Sequence, residues 1–327
     1  MKKLFVVLIG LFFSTSILCN KYGVDWEKLS PAVVLINSNW DAEVELGEAA
    51  FNTDETVNFE YHINSQPGFD IAKEHIQKYK SVSLTIHTMN HQMQSDWQIY
   101  LPGDFFVGLS NVIKLNLHDC YFKVLPESIG DLTNLKVLNL SGNMFDSLPK
   151  SLGNLINLEQ LNASHNKLTQ VGGIFGKLKK LKKLRLSDNA LGGLPADLGN
   201  LKLLKMLYLN DNYLKAEYSK AIVSLTNLLI LDLSNNGLTS LPDLSKLTKL
   251  FELKIQGNKL TSLPSWLLDL PRLKKLDIKD NSLKVVPELL LEKQKEGKVK
   301  IDGVNQQKTV PVAFFKRIGM RISRLFA

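Results

Sequence analysis

From residue 112 to residue 290 the apolar residues fall at one recurring set of offsets. Leu135, Leu138, Leu140, Asn143, Phe145 and Leu148-Pro149 define it. The spacing returns at Leu158, Leu161, Ala163, Asn166, Leu168 and Val171, and again at Leu181, Leu184, Leu186, Asn189, Leu191 and Leu194-Pro195. Copies beginning at Leu204, Leu228, Leu250 and Leu273 follow, and one beginning at Val112 precedes them all. Successive first positions lie 23, 23, 23, 23, 24, 22 and 23 residues apart, so eight copies keep one period. A period of this length marks a solenoid, in which each coil buries its apolar edge only by stacking on the next.

In the core segment Leu-x-x-Leu-x-Leu, the fourth and sixth residues alternate with outward ones, which is the period of two of a strand. Strands of neighbouring coils then pair in parallel, and the leucines stack into a common core. The asparagine in the ninth position stands where the chain leaves the strand. Its amide both donates and accepts, so a column of them can satisfy turn backbone groups that would otherwise be buried unpaired. Cys120 holds that position in the first copy and reads as a buried ladder residue rather than a catalytic thiol. Proline fixes φ and lacks a donor, so the Leu-Pro arcs suit short extended or 3₁₀ segments better than long helices. Where the proline is missing, at Gly172-Gly173 and around Ala216 to Val223, the arc is expected to differ, with a helical turn or two over Ala216 to Leu225.

In these residues the chain resembles leucine-rich-repeat proteins of the short class with Leu-Pro after the asparagine, found among Ras-pathway scaffold proteins and many bacterial proteins. The resemblance covers about two thirds of the chain. It implies an α/β solenoid: a horseshoe with a parallel β-sheet on its concave face and short 3₁₀, extended or helical segments on its convex side. It also implies a role in binding other macromolecules.

The ends of the repeat need covers. Val299 and Ile301 look like one more strand, and Leu84 and Ile86 like an early one, so the repeat domain is expected to span 81–301. Residues 20–80 read as an acidic N-terminal cap or a small domain. Short strands are predicted at Val33 to Ile36, Ala42 to Leu46 and Val57 to Tyr61. A helix is predicted over Asp70 to Lys80, with Ile71, His75, Ile76 and Tyr79 on one side. In the tail, 302–327, Phe315, Ile318, Ile322 and Leu325 share one helical face and Lys316, Arg317, Arg321 and Arg324 lie elsewhere. Such a basic amphipathic helix either covers the last coil or lies on an anionic membrane or a partner.

Charge sharpens this division. Residues 20–111 carry 5 basic and 13 acidic side chains, and residues 112–327 carry 33 and 19. An acidic front and a basic rear present different surfaces to partners. Before both, Lys2 and Lys3 followed by apolar Leu4 to Phe13 have the layout of a signal peptide over 1–19, and the chain is read as exported. Cleavage after the small Ser16 and lipidation of Cys19 both remain open, with Leu18 departing from the small residue usual before a lipidated cysteine. Cys19 and Cys120 are the two cysteines, so stability is expected from packing rather than a disulfide.

Candidate binding residues are the outward strand positions. Met206, Tyr208, Leu229, Ile230 and Phe251 are predicted to form one apolar patch, flanked by Lys182, Lys183, Arg185 and Lys205 on one side and by Lys274 and Lys275 on the other. An exposed apolar cluster rimmed by charge is the anatomy of a protein interface. The expected partner is a protein, acidic or amphipathic, with membrane-surface contact through the tail. Nucleic acid is not expected, because few aromatic residues accompany the lysines. Nothing in the pattern specifies an oligomer.

Catalysis finds little support. His87 and His91 could sit together only on a helix, no third ligand accompanies them, and a loop is the preferred reading. No cofactor or metal site is expected, and there is no phosphate-cradling loop or nucleophile elbow. Glycosylation patterns at Asn139 and Asn162 arise from the repeat itself. The sequence thus reads as an exported, non-enzymatic bacterial protein that binds a protein. An envelope adhesin or glycan binder held by Cys19 or the basic tail is the alternative, and an enzyme within 20–111 is a weaker third.

Overall fold

In the computed structural model the Leu-x-Leu core of each copy forms a strand three to five residues long, with its leucine buried and its neighbours turned outward. The structure describes residues 36–38, 42–46, 57–63, 66–87, 101–215, 219–304 and 308–310. The signal segment with Cys19, residues 88–100 with His91, and the tail beyond Val310 lie outside the described residues. The chain divides into two compact units, 1–144 and 145–327.

The first unit orders its strands as β1 (Ile36–Ser38), β2 (Ala42–Leu46), β3 (Val57–Ile63), β4 (Val82–His87), β5 (Val112–Asn116) and β6 (Val137–Asn139). The first two junctions are antiparallel and the rest parallel. In β4 the residues alternate buried and half-buried, so Val82 points inward together with Leu84 and Ile86, the two residues from which this strand was expected. Between β3 and β4 runs α1 (Gln66–Ile76), four residues ahead of its predicted start and ending before the predicted Lys80. The early start brings Phe69 into the core, where its ring meets that of Phe105 edge-on at 5.2 Å. The early stop has a partner: Asn111 Nδ2 donates to the carbonyls of Ile76 at 2.9 Å and Tyr79 at 2.6 Å, taking up acceptors that a continuing helix would have used.

In the second unit, β7 (Gln160–Asn162), β8 (Lys183–Arg185), β9 (Met206–Tyr208), β10 (Ile230–Asp232), β11 (Glu252–Lys254), β12 (Lys275–Asp277) and β14 (Lys300–Asp302) pair in parallel, each with the next. Their central residues Leu161, Leu184, Leu207, Leu231, Leu253, Leu276 and Ile301 stand in register and are all buried. In a separate two-stranded sheet, β13 (Val285–Pro287) pairs in parallel with β15 (Lys308–Val310).

The arcs follow their prolines. Pro126, Pro149, Pro195 and Pro264, with φ between −65° and −71°, each precede a five-residue 3₁₀ turn. At Gly172-Gly173, where the proline is absent, the turn shrinks to Phe175–Lys177. A short helix, α2 (Ser219–Ile222), falls where one was expected. The last arc departs from expectation: after Pro287 the chain forms α3 (Glu288–Lys295), eight residues of α-helix. Its Glu, Leu, Gln and Lys residues are strong helix formers, and no glycine intervenes until Gly297, at φ +68°, turns the chain. In an earlier arc a Cβ at Gly153 would lie 3.2 Å from the Ile174 carbonyl oxygen, so neighbouring arcs pack closely at that glycine.

Candidate functional site

The same turn recurs at every strand exit. In the second unit the Oδ1 of Asn189, Asn212, Asn236 and Asn281 accepts the N–H of Leu168, Leu191, Leu214 and Leu260, at 3.0, 3.0, 3.2 and 3.1 Å. Each Nδ2 donates backward to a carbonyl of the preceding coil, as Asn236 does to Leu209 at 3.0 Å, and to its own coil, as Asn236 does to Leu233 at 3.1 Å. In the first unit Asn143 makes the same set of bonds, and Cys120 fills the position with its buried thiol donating to Ile86 O at 3.0 Å. These groups are consumed by the fold.

A second local motif turns the chain just past the strands. Asn139, Asn162, Asp232 and Asp277 each accept, through Oδ1, the N–H two residues on. Asn139 and Asn162 are therefore half-buried turn formers, which accounts for the two glycosylation patterns structurally.

The outward strand surface is what remains for partners. The residue just ahead of each strand forms a first row: Lys182, Lys205, Leu229, Phe251 and Lys274 each donate their N–H to the carbonyl of the preceding rung, at 2.8 Å. The second row reads Gln160, Lys183, Met206, Ile230, Glu252, Lys275, and the third Asn162, Arg185, Tyr208, Asp232, Lys254, Asp277. The predicted apolar residues thus adjoin: Leu229 beside Phe251, Met206 beside Ile230, Tyr208 at the border. Their exposure differs from expectation. Phe251 is exposed at 42%, while Met206, Tyr208, Leu229 and Ile230 are half-buried, because side chains on strands about 4.8 Å apart shade one another.

The charged rim is uneven. Lys182 Nζ lies 2.7 Å from Glu159 Oε2. Lys275 lies 3.6 Å from Glu252 and over the Phe251 ring at 6.0 Å, and Lys254 bridges Asp232 and Glu252 at 3.7 and 3.6 Å. Asp232, counted among the outward residues, is only 6% exposed, its Oδ1 taken by the Ser234 hydroxyl at 2.6 Å. Sequence reasoning named Lys182 and Lys275 but missed their pairing, although carboxylate and lysine one period apart on one row is a legible signal.

At β8 and β9 the balance fails. Among the described residues, no carboxylate forms an ion pair with Lys183, Arg185 or Lys205. Burial first, then the neighbouring Arg185 guanidinium, holds the Lys183 ammonium below the usual lysine range. The Arg185 guanidinium carbon sits 4.8 Å from the centre of the Tyr208 ring, and its Nε is buried without a hydrogen-bond partner.

Elsewhere, His87 stands at the end of β4 rather than in a loop, since strand pairing with β3 runs through it. Its Nε2 lies 2.7 Å from Glu60, and its ring meets that of His118 edge-on at 5.6 Å. Among the described residues no group of three His, Cys, Asp or Glu is placed to hold a metal ion, and no helix is long and apolar enough to cross a membrane. In the first unit the Tyr61 hydroxyl meets His75 Nδ1 at 2.8 Å. Burial pushes the tyrosine pKa up, and burial followed by the Lys78 charge pushes the histidine down, so the bond joins a neutral tyrosine and a neutral imidazole, whose tautomer sets which of the two donates.

Parallel coils stacked on a buried leucine core and pinned by an asparagine column define a leucine-rich-repeat solenoid. The chain belongs to the leucine-rich-repeat family, whose model for a leucine-rich repeat region matches residues 108–279. No curated protein matches it. Among solved structures it is similar to the internalin InlF of Listeria monocytogenes, at 20% identity and a TM-score of 0.62, over 81% of this chain and 71% of that one. It is also similar to the functional domain of InlJ from the same organism, described as including a cysteine ladder, at 21% identity and a TM-score of 0.55. That match covers 78% of this chain and 55% of the InlJ chain. At these identities the likeness is one of fold.

Proposed function

We propose that the protein works by binding another protein through the outward face of β8 to β12, and that it is not an enzyme. One observation carries this: Met206, Tyr208, Leu229, Ile230 and Phe251 adjoin on neighbouring rungs, within a rim of Lys182, Lys183, Arg185, Lys205, Lys274 and Lys275. A cluster of amphipathic and aromatic side chains inside a polar rim matches the anatomy of binding hot spots. In leucine-rich-repeat proteins the parallel sheet lines the concave face, which supports this reading. The test is affinity capture comparing the wild-type protein with the Tyr208→Ala/Phe251→Ala double variant. Capture of a discrete partner should fall sharply in the variant while thermal unfolding stays close to wild type. Undiminished capture would place the binding surface elsewhere.

Export from a bacterial cell, and retention at the envelope as an adhesin or glycan binder, extend this reading. They rest on Lys2, Lys3 and the apolar Leu4 to Phe13, on Cys19, and on the basic amphipathic pattern after Val310. Palmitate labelling that disappears in Cys19→Ala would support a lipid anchor. Because β15 pairs with β13 up to Val310, the tail is best removed after that residue. Salt-sensitive binding to anionic liposomes should then vanish with the pair intact.

A further inference from the structure

We propose that Lys183, Arg185 and Lys205 form a receptor for a carboxylate of the partner, so that the segment bound is acidic at β8 and β9 and apolar toward β10 and β11. This rests on the same face being a protein-binding surface, and it assigns the partner's chemistry and direction.

A contrast in charge pairing runs along the rows. At β11, β12 and β14 most outward cations have carboxylates at hand: Lys254 and Lys275 meet Glu252, Lys279 meets Asp277, and Lys300 meets Asp302, while Lys274, just ahead of β12, stands as a single unanswered cation among the described residues rather than one of a cluster. Just ahead of β8, Lys182 has Glu159. The next three cations, Lys183 and Arg185 on β8 and Lys205 just ahead of β9, have no such partner among the described residues. Like charges gathered on adjacent rungs repel, and that repulsion is relieved when an anion binds. The Lys183 ammonium is held down by burial first, and the Arg185 charge adds to that in the same direction.

Geometry adds direction. A guanidinium lying over a ring presents its N–H groups around its own edge, in the planar fork that takes a carboxylate in a bidentate manner. Tyr208 holds Arg185 in that way and is itself the border of the apolar patch. The anion and the apolar contact are thus neighbours on consecutive strands. A sulfated polysaccharide would satisfy the cations but has nothing apolar to lay on Leu229, Ile230 and Phe251. An acidic peptide segment with an aromatic or aliphatic residue beside its carboxylates fills both.

The experiment uses the full chain and three fluorescent probes: a blocked peptide with two glutamates followed by two tryptophans, its Glu→Gln form, and its Trp→Ala form, with heparin as a fourth ligand. The glutamate–tryptophan peptide should bind in a salt-dependent way, and the Glu→Gln form about tenfold more weakly or worse. Lys183→Ala/Lys205→Ala should erase that preference for glutamate, and Arg185→Lys should weaken it. Lys167→Ala, the loss of an exposed lysine away from the site, should leave it in place. Removing mutually repelling cations should leave thermal stability at or above wild type, so a loss of binding is not a folding failure. The anion receptor is overturned if the double variant behaves like Lys167→Ala, or if heparin binds while no peptide does. The apolar reading fails separately, if the Trp→Ala peptide binds as well as its parent.

Discussion

The asparagine column and the outward strand rows are products of one repeat, yet they dispose of their polar groups in opposite ways. In the column the asparagines repeat one answer, one or two N–H groups accepted and two or three carbonyls satisfied by each amide. In the rows each coil differs: apolar at β10, acid–base pairs at β11, unmatched cations at β8. What is uniform around the solenoid has been used up in closing backbone hydrogen bonds, and what varies is left for recognition. A repeat fold therefore separates stability from function by position rather than by domain.

That separation can be broken from its stable side first. Leu231→Ala removes a fully buried core side chain and should cost about 2–5 kcal/mol, read as a drop in the chemical-denaturation midpoint. Next comes Asn236→Ala, which takes a side-chain partner from the Leu214 N–H and from the carbonyls of Leu209 and Leu233, while Ser234 O keeps the Asp211 N–H. A loss of about 1–3 kcal/mol is expected. A neutral result would mean the column is ornamental.

A smaller effect belongs to the first unit. Folding lowers the His75 pKa, so at a pH above its unfolded value of 6.5 both states are neutral and its Tyr61 bond is intact. As pH falls below that value the unfolded state takes up the proton first, and stability declines until the lowered folded pKa is passed. Thermal midpoints measured from about pH 7.5 to about pH 5 should show this slope, and His75→Gln should flatten it. The smallest change in stability is expected from the recognition side. Tyr208→Ala/Phe251→Ala should shift unfolding by no more than about 1 kcal/mol, since the chief interaction it removes is the stacking of Arg185 on Tyr208. A large destabilisation there would erase the distinction between column and rows.

Much of the fold was readable because the repeat announces itself. The early strand at Leu84 and Ile86 and the closing strand at Ile301 followed from spacing, the helical turn near Ser219 from the missing proline, and the ladder role of Cys120 from its place in the repeat. The limits of α1 did not, because Asn111, 35 residues from Ile76, holds its end. Neither did α3, where local helix preference overrode the rule drawn from the other Leu-Pro arcs.

Sequence by itself determined which residues face in and which face out, since a period near 23 laid over the strand's period of two leaves no other way to bury the leucines. Only the tertiary structure decided which outward charges are answered. Lys182 and Lys275 find carboxylates on the neighbouring rung, Asp232 sinks out of reach, and Lys183, Arg185 and Lys205 are left together. The physical reason is reach: ion pairing depends on distances of a few ångströms between side-chain tips on different strands, and those distances exist only once the coils have stacked.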